Sequence, residues 1–270
     1  MCVPGCQEAV RRALSRRGFL KTAAVAGFAA SAVTAAEAAP RQFRRVIDLT
    51  HTMSREFPTF FGEPGIEMEK KFDFKKDGFN LNQWKLNEHA GTHMDAPIHF
   101  SEDGATLERL APETLVVPLV VINVAARAEE NPDYLLSRED LREWERKYRR
   151  LPPNCCVAMH SGWARHAGNP AKYTGKDANG VLHFPGFSPL AAEWLIKERK
   201  VAGLAVDTLS LDNGPSKDFL THKLWLGSGR WGLENVANLD KVPPAGATLV
   251  AGIAKVKDAT GGPARLFALI

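Results

Sequence analysis

The stretch HAGTHMDAPIH, residues 89–99, is the most informative part of this sequence because it places three histidines and one aspartate within eleven positions. The histidines are His89, His93 and His99, and the aspartate is Asp95. Imidazole and carboxylate groups are the common ligands of zinc, manganese and iron at neutral pH. The stretch is therefore a candidate metal-binding segment.

The spacing of the first two histidines suits one face of a helix, as in metalloproteases with the HExxH motif. Gly91 and Pro97 disfavour a helix here, because glycine and proline are poor helix formers. The sequence instead predicts a loop with an extended tail. In an extended tail, side chains two residues apart share a side, so His93 and Asp95 are expected to lie together.

The start of the chain has the composition of an export signal rather than of a folded domain. Arg16 and Arg17 precede an Ala-rich apolar run over residues 22–36, which resembles a twin-arginine signal. We therefore expect a signal peptide over residues 1–38 and a mature domain over residues 39–270. The expected location is periplasmic or secreted, and the twin-arginine export machinery is an expected partner before cleavage.

The composition of the 270 residues is that of a globular protein, with 44% hydrophobic and 24% charged residues. Disordered, collagen-like and disulfide-dense classes are excluded. The net charge of +4 falls to +1 when residues 1–38 are left out, so no nucleic-acid partner is expected. The only cysteines outside residues 1–38 are the adjacent Cys155 and Cys156. We expect them to be buried as small apolar side chains and not to form a disulfide.

Hydrophobic periodicity predicts a domain with many strands and two clear helices. Each helix opens on a serine cap, Ser137 or Ser188. The predicted helices are 137–149 and 188–199, and the predicted strands are 45–53, 66–74, 79–86, 115–125, 155–161, 201–211, 248–256 and 264–269. This pattern indicates a single α+β domain.

The segment 89–99 resembles the H-x-G-T-H-x-D-x-P-x-H signature of the cyclase family of metal-dependent hydrolases, and every fixed position is present. This family includes bacterial kynurenine formamidase and isatin hydrolase. Residues 48–51 and 203–212 are similar to the family's first strand and one of its central stretches. His222 and Glu234 have the twelve-residue separation of the last two metal ligands of the family.

The resemblance implies a β-barrel-like mixed sheet flanked by helices, of the swivelling β/β/α type. It also implies one or two divalent ions, zinc or manganese, and a general acid/base at His99. The implied metal ligands are His89, His93, Asp95, His222 and Glu234. The first three would hold one ion, and Asp95 would bridge to a second ion that the last two complete.

The activity implied is hydrolysis of a C–N amide-type bond in an arylformamide, an isatin-like lactam or a related cyclic amide by a metal-activated water. The alternatives are a polyketide-type cyclase or dehydratase on the same metal scaffold, and a periplasmic metal- or ligand-binding protein without turnover. Relatives are commonly dimers or tetramers, so a homo-oligomer is expected. Four aromatic residues are candidates for holding a flat substrate, or else are core or lid residues: Phe57, Phe60, Phe61 and Trp84.

Overall fold

A computed structural model describes residues 43–270, which form one compact unit. The predicted signal peptide, residues 1–38, lies outside the described residues. The strands of the described part are β1 (Val46–Asp48), β2 (Ile66–Phe72), β3 (Leu81–Leu86), β4 (His93–Asp95), β5 (Val116–Asn123), β6 (Leu135–Leu136), β7 (Cys156–His160), β8 (Gly186–Phe187), β9 (Gly203–Val206), β10 (Trp231–Glu234), β11 (Ala247–Ile253) and β12 (Gly261–Leu269).

The two helices predicted from the sequence are present, and further short helices accompany them. The helices of the described part are α1 (Phe74–Asp77), α2 (Ala125–Glu130), α3 (Arg138–Tyr148), α4 (Pro170–Thr174), α5 (Pro189–Glu198) and α6 (Leu220–Gly227). In residues 43–270, none of these helices has the length and hydropathy needed to span a bilayer.

Seven strands close into a barrel, in the order β12-β11-β5-β7-β9-β10-β4, and β4 pairs back onto β12. The neighbours β5, β7, β9 and β10 run parallel, whereas the remaining pairs are antiparallel. Strand β1 extends the sheet beside β12. The expected barrel-like mixed sheet is therefore confirmed.

The parallel strands are apolar throughout because both of their faces are buried. Alternate residues Val121, Ala158 and Ala205 belong to the cluster inside the barrel. Their neighbours Val120 and Val157 belong to a second cluster, which packs the outside of the barrel against α3, α5 and α6. This two-sided burial explains why the sequence shows continuous runs here rather than alternation.

Helix α3 begins where the sequence predicts, because its first turn is closed by a reciprocal pair of hydrogen bonds. The Ser137 hydroxyl accepts from the Asp140 amide, and the Asp140 carboxylate accepts from the Ser137 amide. Helix α5 begins with Ser188 as its cap, whose hydroxyl accepts the Ala191 amide, and with Pro189 in its first turn. Cys155 and Cys156 are buried free thiols at the start of β7, as expected.

Strands β2 and β3 form a separate two-stranded sheet that does not join the barrel. They pair antiparallel, with Met68 opposite Trp84, and the helical turn α1 connects them. The predicted hairpin is therefore confirmed, although β2 ends two residues earlier than expected. Asp73 begins this turn by accepting the amide of Lys75, and Gly78 ends it in the left-handed region.

Candidate metal centre

Strands β4 and β10 pair side by side and present polar side chains on the outer surface of the barrel. Met94 and Leu233 belong to the cluster inside the barrel. Because side chains alternate along a strand, the neighbouring His93, Asp95 and Glu234 face outward. Glu234 lies opposite His93 in the antiparallel register. The sequence prediction that His93 and Asp95 share a side is therefore confirmed.

Two glycines keep space open around the Asp95 carboxylate. Gly232 on β10 and Gly261 on β12 are both register partners of Asp95. A Cβ on Gly232 would lie 3.3 Å from Asp95 Oδ2, and a Cβ on Gly261 would lie 2.5 Å from His89 Cε1. A larger residue at Gly261 would therefore displace the His89 ring, and one at Gly232 would crowd Asp95.

His222 reaches this surface from helix α6 and is oriented by a buried carboxylate. Its Nδ1 donates to Asp212 Oδ2 at 2.6 Å, while its Nε2 lies 3.1 Å from Glu234 Oε1 and 3.6 Å from Asp95 Oδ2. Asp212 also accepts the amides of Thr221 and His222, so it caps the helix that carries the histidine. Sequence analysis assigned no role to Asp212.

The second histidine, His93, has a ring orientation set by a backbone carbonyl. Its Nδ1 donates to Gly91 O at 2.9 Å, so Nε2 is the ring nitrogen left to bind a cation, either a proton or a metal ion. This Nε2 lies 3.3 Å from an oxygen of Asp95 and 3.3 Å from one of Glu234, without hydrogen-bond alignment to either.

The third histidine, His89, is oriented by the hydroxyl of Thr260, which is in turn hydrogen-bonded to the carboxylate of Glu88. The Thr260 hydroxyl donates to Glu88 Oε2 at 2.6 Å, so it accepts from His89 Nε2 at 2.9 Å. His89 Nδ1 then faces Asp95 Oδ1 at 2.7 Å. Sequence analysis did not identify Glu88 or Thr260. Three histidines thus direct one ring nitrogen each toward Asp95, and those of His93 and His222 also approach Glu234. Each ring has its other nitrogen fixed by a partner.

This donor set fits a divalent cation. His93 Nε2 and Asp95 Oδ2 are buried and have no hydrogen-bond partner among residues 43–270. Neutral ring nitrogens that face carboxylates repel them unless a cation lies between the two. Ligand atoms of His93, Asp95 and Glu234 lie within 4.8 Å of one another. Nitrogen and oxygen donors without a thiolate are suited to zinc, manganese or iron.

The electrostatics of the site also favour positive charge. Burial by itself lowers the pKa of His93, but Asp95 and Glu234 outweigh it and raise that pKa to about 10. Burial likewise opposes ionisation of Asp95, yet the neighbouring rings of His222, His89 and His93 hold its pKa well below the usual range. The carboxylates therefore attract a cation strongly, whether it is a proton or a metal ion.

The predicted general acid/base, His99, lies at the edge of this cluster. Its ring stacks on that of His89 with centroids 3.8 Å apart, and its ligand atoms group with those of His89 and Asp95 within 4.8 Å. Burial lowers the pKa of His99 to about 4, although the charge of Asp95 opposes this effect. The ring is therefore neutral at pH 7 and has a lone pair that can accept a proton.

A cavity of about 380 Å³ opens above these groups, a size that suits a small organic molecule. One side is aromatic and the floor is polar. Phe61 is 83% exposed at the cavity surface. The lining residues are Thr59, Phe60, Phe61, Glu63, Pro64, Gly65, Asn87, His89, His99, Phe100, Leu209, Ser210, Phe219, His222 and Glu234. Phe60 and Phe61 were predicted contacts, whereas Phe100 and Phe219 were not identified from the sequence.

The structure does not bring the other two predicted substrate contacts to this cavity. Phe57 packs in a small cluster against His51 and Tyr173, with ring centroids 5.4 and 5.9 Å away. Trp84 lies on β3 of the hairpin and is 61% exposed. Phe57 is thus a core residue, and Trp84 is a surface residue of the hairpin.

Comparison with known proteins agrees with this geometry. Residues 47–213 match the family profile described as "Putative cyclase". The isatin hydrolase of Roseibium aggregatum is 33% identical over 218 residues, which cover 77% of this chain and 82% of that protein. The kynurenine formamidase of Bordetella pertussis is 27% identical over 223 residues, which cover 82% of this chain and 96% of that protein.

A solved structure gives the same result for the fold. Isatin hydrolase A from Labrenzia aggregata, bound to benzyl benzoate, superposes with a TM-score of 0.79 at 33% identity, over 84% of this chain and 93% of that one. The extent of the matches in both sequence and structure shows that the chain belongs to the cyclase family.

Proposed function

We propose that this chain is a metal-dependent hydrolase that cleaves the C–N bond of a flat amide-type substrate. The observation that carries the proposal is the convergence of three imidazoles and two carboxylates beneath a cavity that has an aromatic side. The similarity to an isatin hydrolase and a kynurenine formamidase supports amide or lactam substrates. Candidate substrates are an isatin-like lactam, an arylformamide and a related cyclic amide.

The residues that would hold one or two zinc or manganese ions are His89, His93, Asp95, His222 and Glu234. Asp95 lies between the histidines, so it is the residue suited to contact two ions. A divalent ion supplies a deprotonated water at neutral pH and polarises a carbonyl oxygen. Asp212, Gly91 and Thr260 keep the three rings aimed at this point.

His99 is the residue placed to move a proton. It lines the cavity, and no hydrogen bond from the described residues fixes either of its ring nitrogens. As water adds to the carbonyl carbon, His99 accepts a proton and then delivers it to the leaving nitrogen as the C–N bond breaks. Phe60 and Phe61 would hold the planar part of the substrate against the aromatic side of the cavity.

The test is a turnover assay of the purified full-length chain with isatin, an N-formyl aromatic amine and small lactams. Each substrate is assayed with the chain after chelation and after reloading with manganese or zinc. We expect turnover of at least one substrate only in the loaded chain. Opening of isatin or a lactam should give one product that is heavier by one water, and an N-formyl amine should give the free amine and formate, whose summed mass exceeds that of the substrate by one water. A product without added water indicates a cyclase or dehydratase instead.

The matched control replaces a histidine away from the site. His166→Gln changes a histidine of a 3₁₀ turn over residues 163–166 that does not line the cavity, and it should retain wild-type turnover. His93→Gln should remove both metal and turnover. A loaded chain that turns over none of these substrates contradicts the proposal and favours a binding protein.

We also propose that the twin-arginine segment exports the chain to the periplasm. The paired arginines ahead of the apolar run support this proposal. Replacing both Arg16 and Arg17 with lysine should retain the chain in the cytoplasm, as measured by cell fractionation. Unchanged periplasmic yield of this variant would contradict the proposed route.

A further inference from the structure

The carbonyl oxygen of Gly91 accepts hydrogen bonds from two buried side chains behind the metal centre. One donor is His93 Nδ1 at 2.9 Å, and the other is the side-chain amide of Asn235, whose Nδ2 also lies 2.9 Å away. A carbonyl oxygen has two lone pairs, so both bonds form together. Asn235 directly follows the candidate ligand Glu234 in the chain. This carbonyl therefore connects the segments that carry two of the candidate ligands.

The backbone of Asn235 is fixed by hydrogen bonds of its own. Its amide donates to Thr208 O at 2.9 Å, and its carbonyl oxygen accepts the Thr92 hydroxyl at 2.6 Å. Its φ of 54° lies in the left-handed region, which asparagine and glycine adopt more readily than other residues. The residue is almost fully buried. The backbone therefore presents the side-chain amide to Gly91 from a defined position.

The orientation of the Asn235 amide group is set by the hydroxyl of Tyr173. Because the Gly91 carbonyl can only accept, Nδ2 is the atom that faces it, and Oδ1 then faces the Tyr173 hydroxyl at 2.9 Å. This hydroxyl also lies 3.2 Å from Asp207 O, so both of its partners are acceptors. Tyr173 is fully buried in an aromatic cluster. A packed ring thus holds the hydroxyl, and the hydroxyl holds the amide.

The Gly91 carbonyl needs this support because no strand pairing holds it. Gly91 precedes β4, and its φ of 63° lies in the left-handed region that favours glycine. Within residues 43–270, no backbone amide donates to this carbonyl. Without the Asn235 amide, the bond left at the carbonyl would be that of His93 itself. The ring would then have a support that can turn with it.

We propose that Asn235 and Tyr173 are positioning residues, which hold the His93 ring in its metal-binding orientation by fixing the Gly91 carbonyl. His93 uses Nδ1 for this carbonyl and keeps Nε2 for the ion, so a displaced carbonyl displaces the ligand atom. Neither Asn235 nor Tyr173 lines the substrate cavity, so both act through the carbonyl. This inference rests on the proposed metal centre, because its effect is measured in metal binding.

The test measures the zinc affinity of the full-length chain by competition with a chelator. Asn235→Gly keeps the left-handed backbone and removes the amide, and it should weaken zinc binding by about ten- to a hundredfold. Tyr173→Phe keeps the packed ring and removes one neutral hydrogen bond, so a loss of about fivefold is expected. The double variant should bind zinc no more weakly than Asn235→Gly alone, because Tyr173 acts through Asn235.

The chain offers a closely matched control at Asn238. This residue also has left-handed backbone, with a φ of 56°, and its Nδ2 also donates to a backbone carbonyl, Asp48 O, at 2.8 Å. Asp48 is not a candidate ligand and holds none of the three histidines. Asn238→Gly should therefore bind zinc as the wild type does, although it loses the same kind of hydrogen bond.

A spectroscopic measurement separates positioning from a general loss of stability. The visible absorption bands of the cobalt-loaded chain depend on ligand geometry, and they should shift in Asn235→Gly and Tyr173→Phe but not in Asn238→Gly. Circular dichroism checks folding, and Tyr173→Phe alone decides the matter if Asn235→Gly does not fold.

Three results would overturn the inference. The first is wild-type zinc affinity with an unchanged cobalt spectrum in folded Asn235→Gly or Tyr173→Phe. The second is a double variant in which the two losses add. The third is a wild type that binds none of zinc, cobalt and manganese, and this result overturns the proposed function as well.

Discussion

The candidate metal centre and the β2–β3 hairpin are adjacent in the chain, yet the first buries charged side chains and the second exposes apolar ones. In the metal centre, charged and polar groups such as His93, Asp95 and Glu234 are almost completely buried. In the hairpin, Met68 and Trp84 are mostly exposed. Both arrangements are costly for an isolated chain, because buried charges and exposed apolar faces each need a partner.

The difference shows what kind of partner each region requires. In the metal centre, each histidine has one nitrogen fixed by hydrogen bonding and the other left for a ligand, which is an arrangement for a cation. The hairpin instead has exposed apolar side chains, Met68 and Trp84, opposite each other on one face. The first region groups its five candidate ligands within one chain, whereas the second exposes large apolar side chains.

The largest effect should come from removing the carboxylate that all three histidines approach. Asp95→Ala should abolish binding of the metal and lower turnover by roughly a thousandfold or more, because the ion supplies several kcal/mol of transition-state stabilisation. Metal content and turnover are measured on the same preparation. Asp103→Ala, at an exposed position, is the control and should change neither. Retained metal in Asp95→Ala would show that the ion binds elsewhere.

The next effect separates proton transfer from metal binding. His99→Gln should lower kcat by about a hundred- to ten-thousandfold, because general acid/base catalysis is lost. Its metal content should equal that of the wild type. If His99→Gln loses an ion together with activity, His99 is a ligand, and the role proposed for it here is wrong.

A smaller, graded effect should come from the groups that orient the histidines. Asp212→Asn should weaken metal binding by about ten- to a hundredfold, because it removes the charge that holds His222. Thr260→Val removes only a neutral hydroxyl from His89, and we expect a loss of about tenfold or less. Competition with a chelator of known affinity measures both. Equal losses would contradict the distinction between a charged and a neutral support.

The smallest effect should come from the hairpin, because it contributes no candidate ligand. Met68→Lys should leave metal affinity within about twofold of wild type, since the charge would lie on an exposed side chain and be screened by solvent. The same chelator competition checks this. A metal affinity that falls with Met68→Lys would show that the two regions are coupled through the cavity wall.

Much of the barrel could be predicted because its parallel strands are apolar on both faces. The two longest helices could be predicted because a serine cap marks the start of each. Ser137 and Ser188 directly precede the first residues of their helices. Helix α6 has no such signal: its start, at Phe219, has left-handed backbone, and the group that caps it is Asp212, several residues earlier. The helix that carries His222 therefore depends on tertiary contacts, which local sequence patterns do not report.

The candidate ligands were identified from spacing and family resemblance, and the structure brings all five together. The hydrophobic pattern alone could not have predicted that these residues lie together, because the strands β4 and β10 have only three and four residues. The predicted strand over residues 201–211 ends at Val206, since Asp207 turns away to accept the amides of Ser161 and Trp163. Of the four aromatic residues predicted as substrate contacts, Phe60 and Phe61 line the cavity, whereas Phe57 and Trp84 do not. Composition does not distinguish an aromatic side chain of the core or of the surface from one that lines a cavity.

The metal content of the purified chain tests the central claim most directly. Native mass spectrometry of the folded chain, prepared without chelator and then supplied with manganese or zinc, counts the ions bound. We predict one or two ions per chain in the wild type and none in Asp95→Ala. A folded wild-type chain that binds no divalent ion under these conditions would contradict the account.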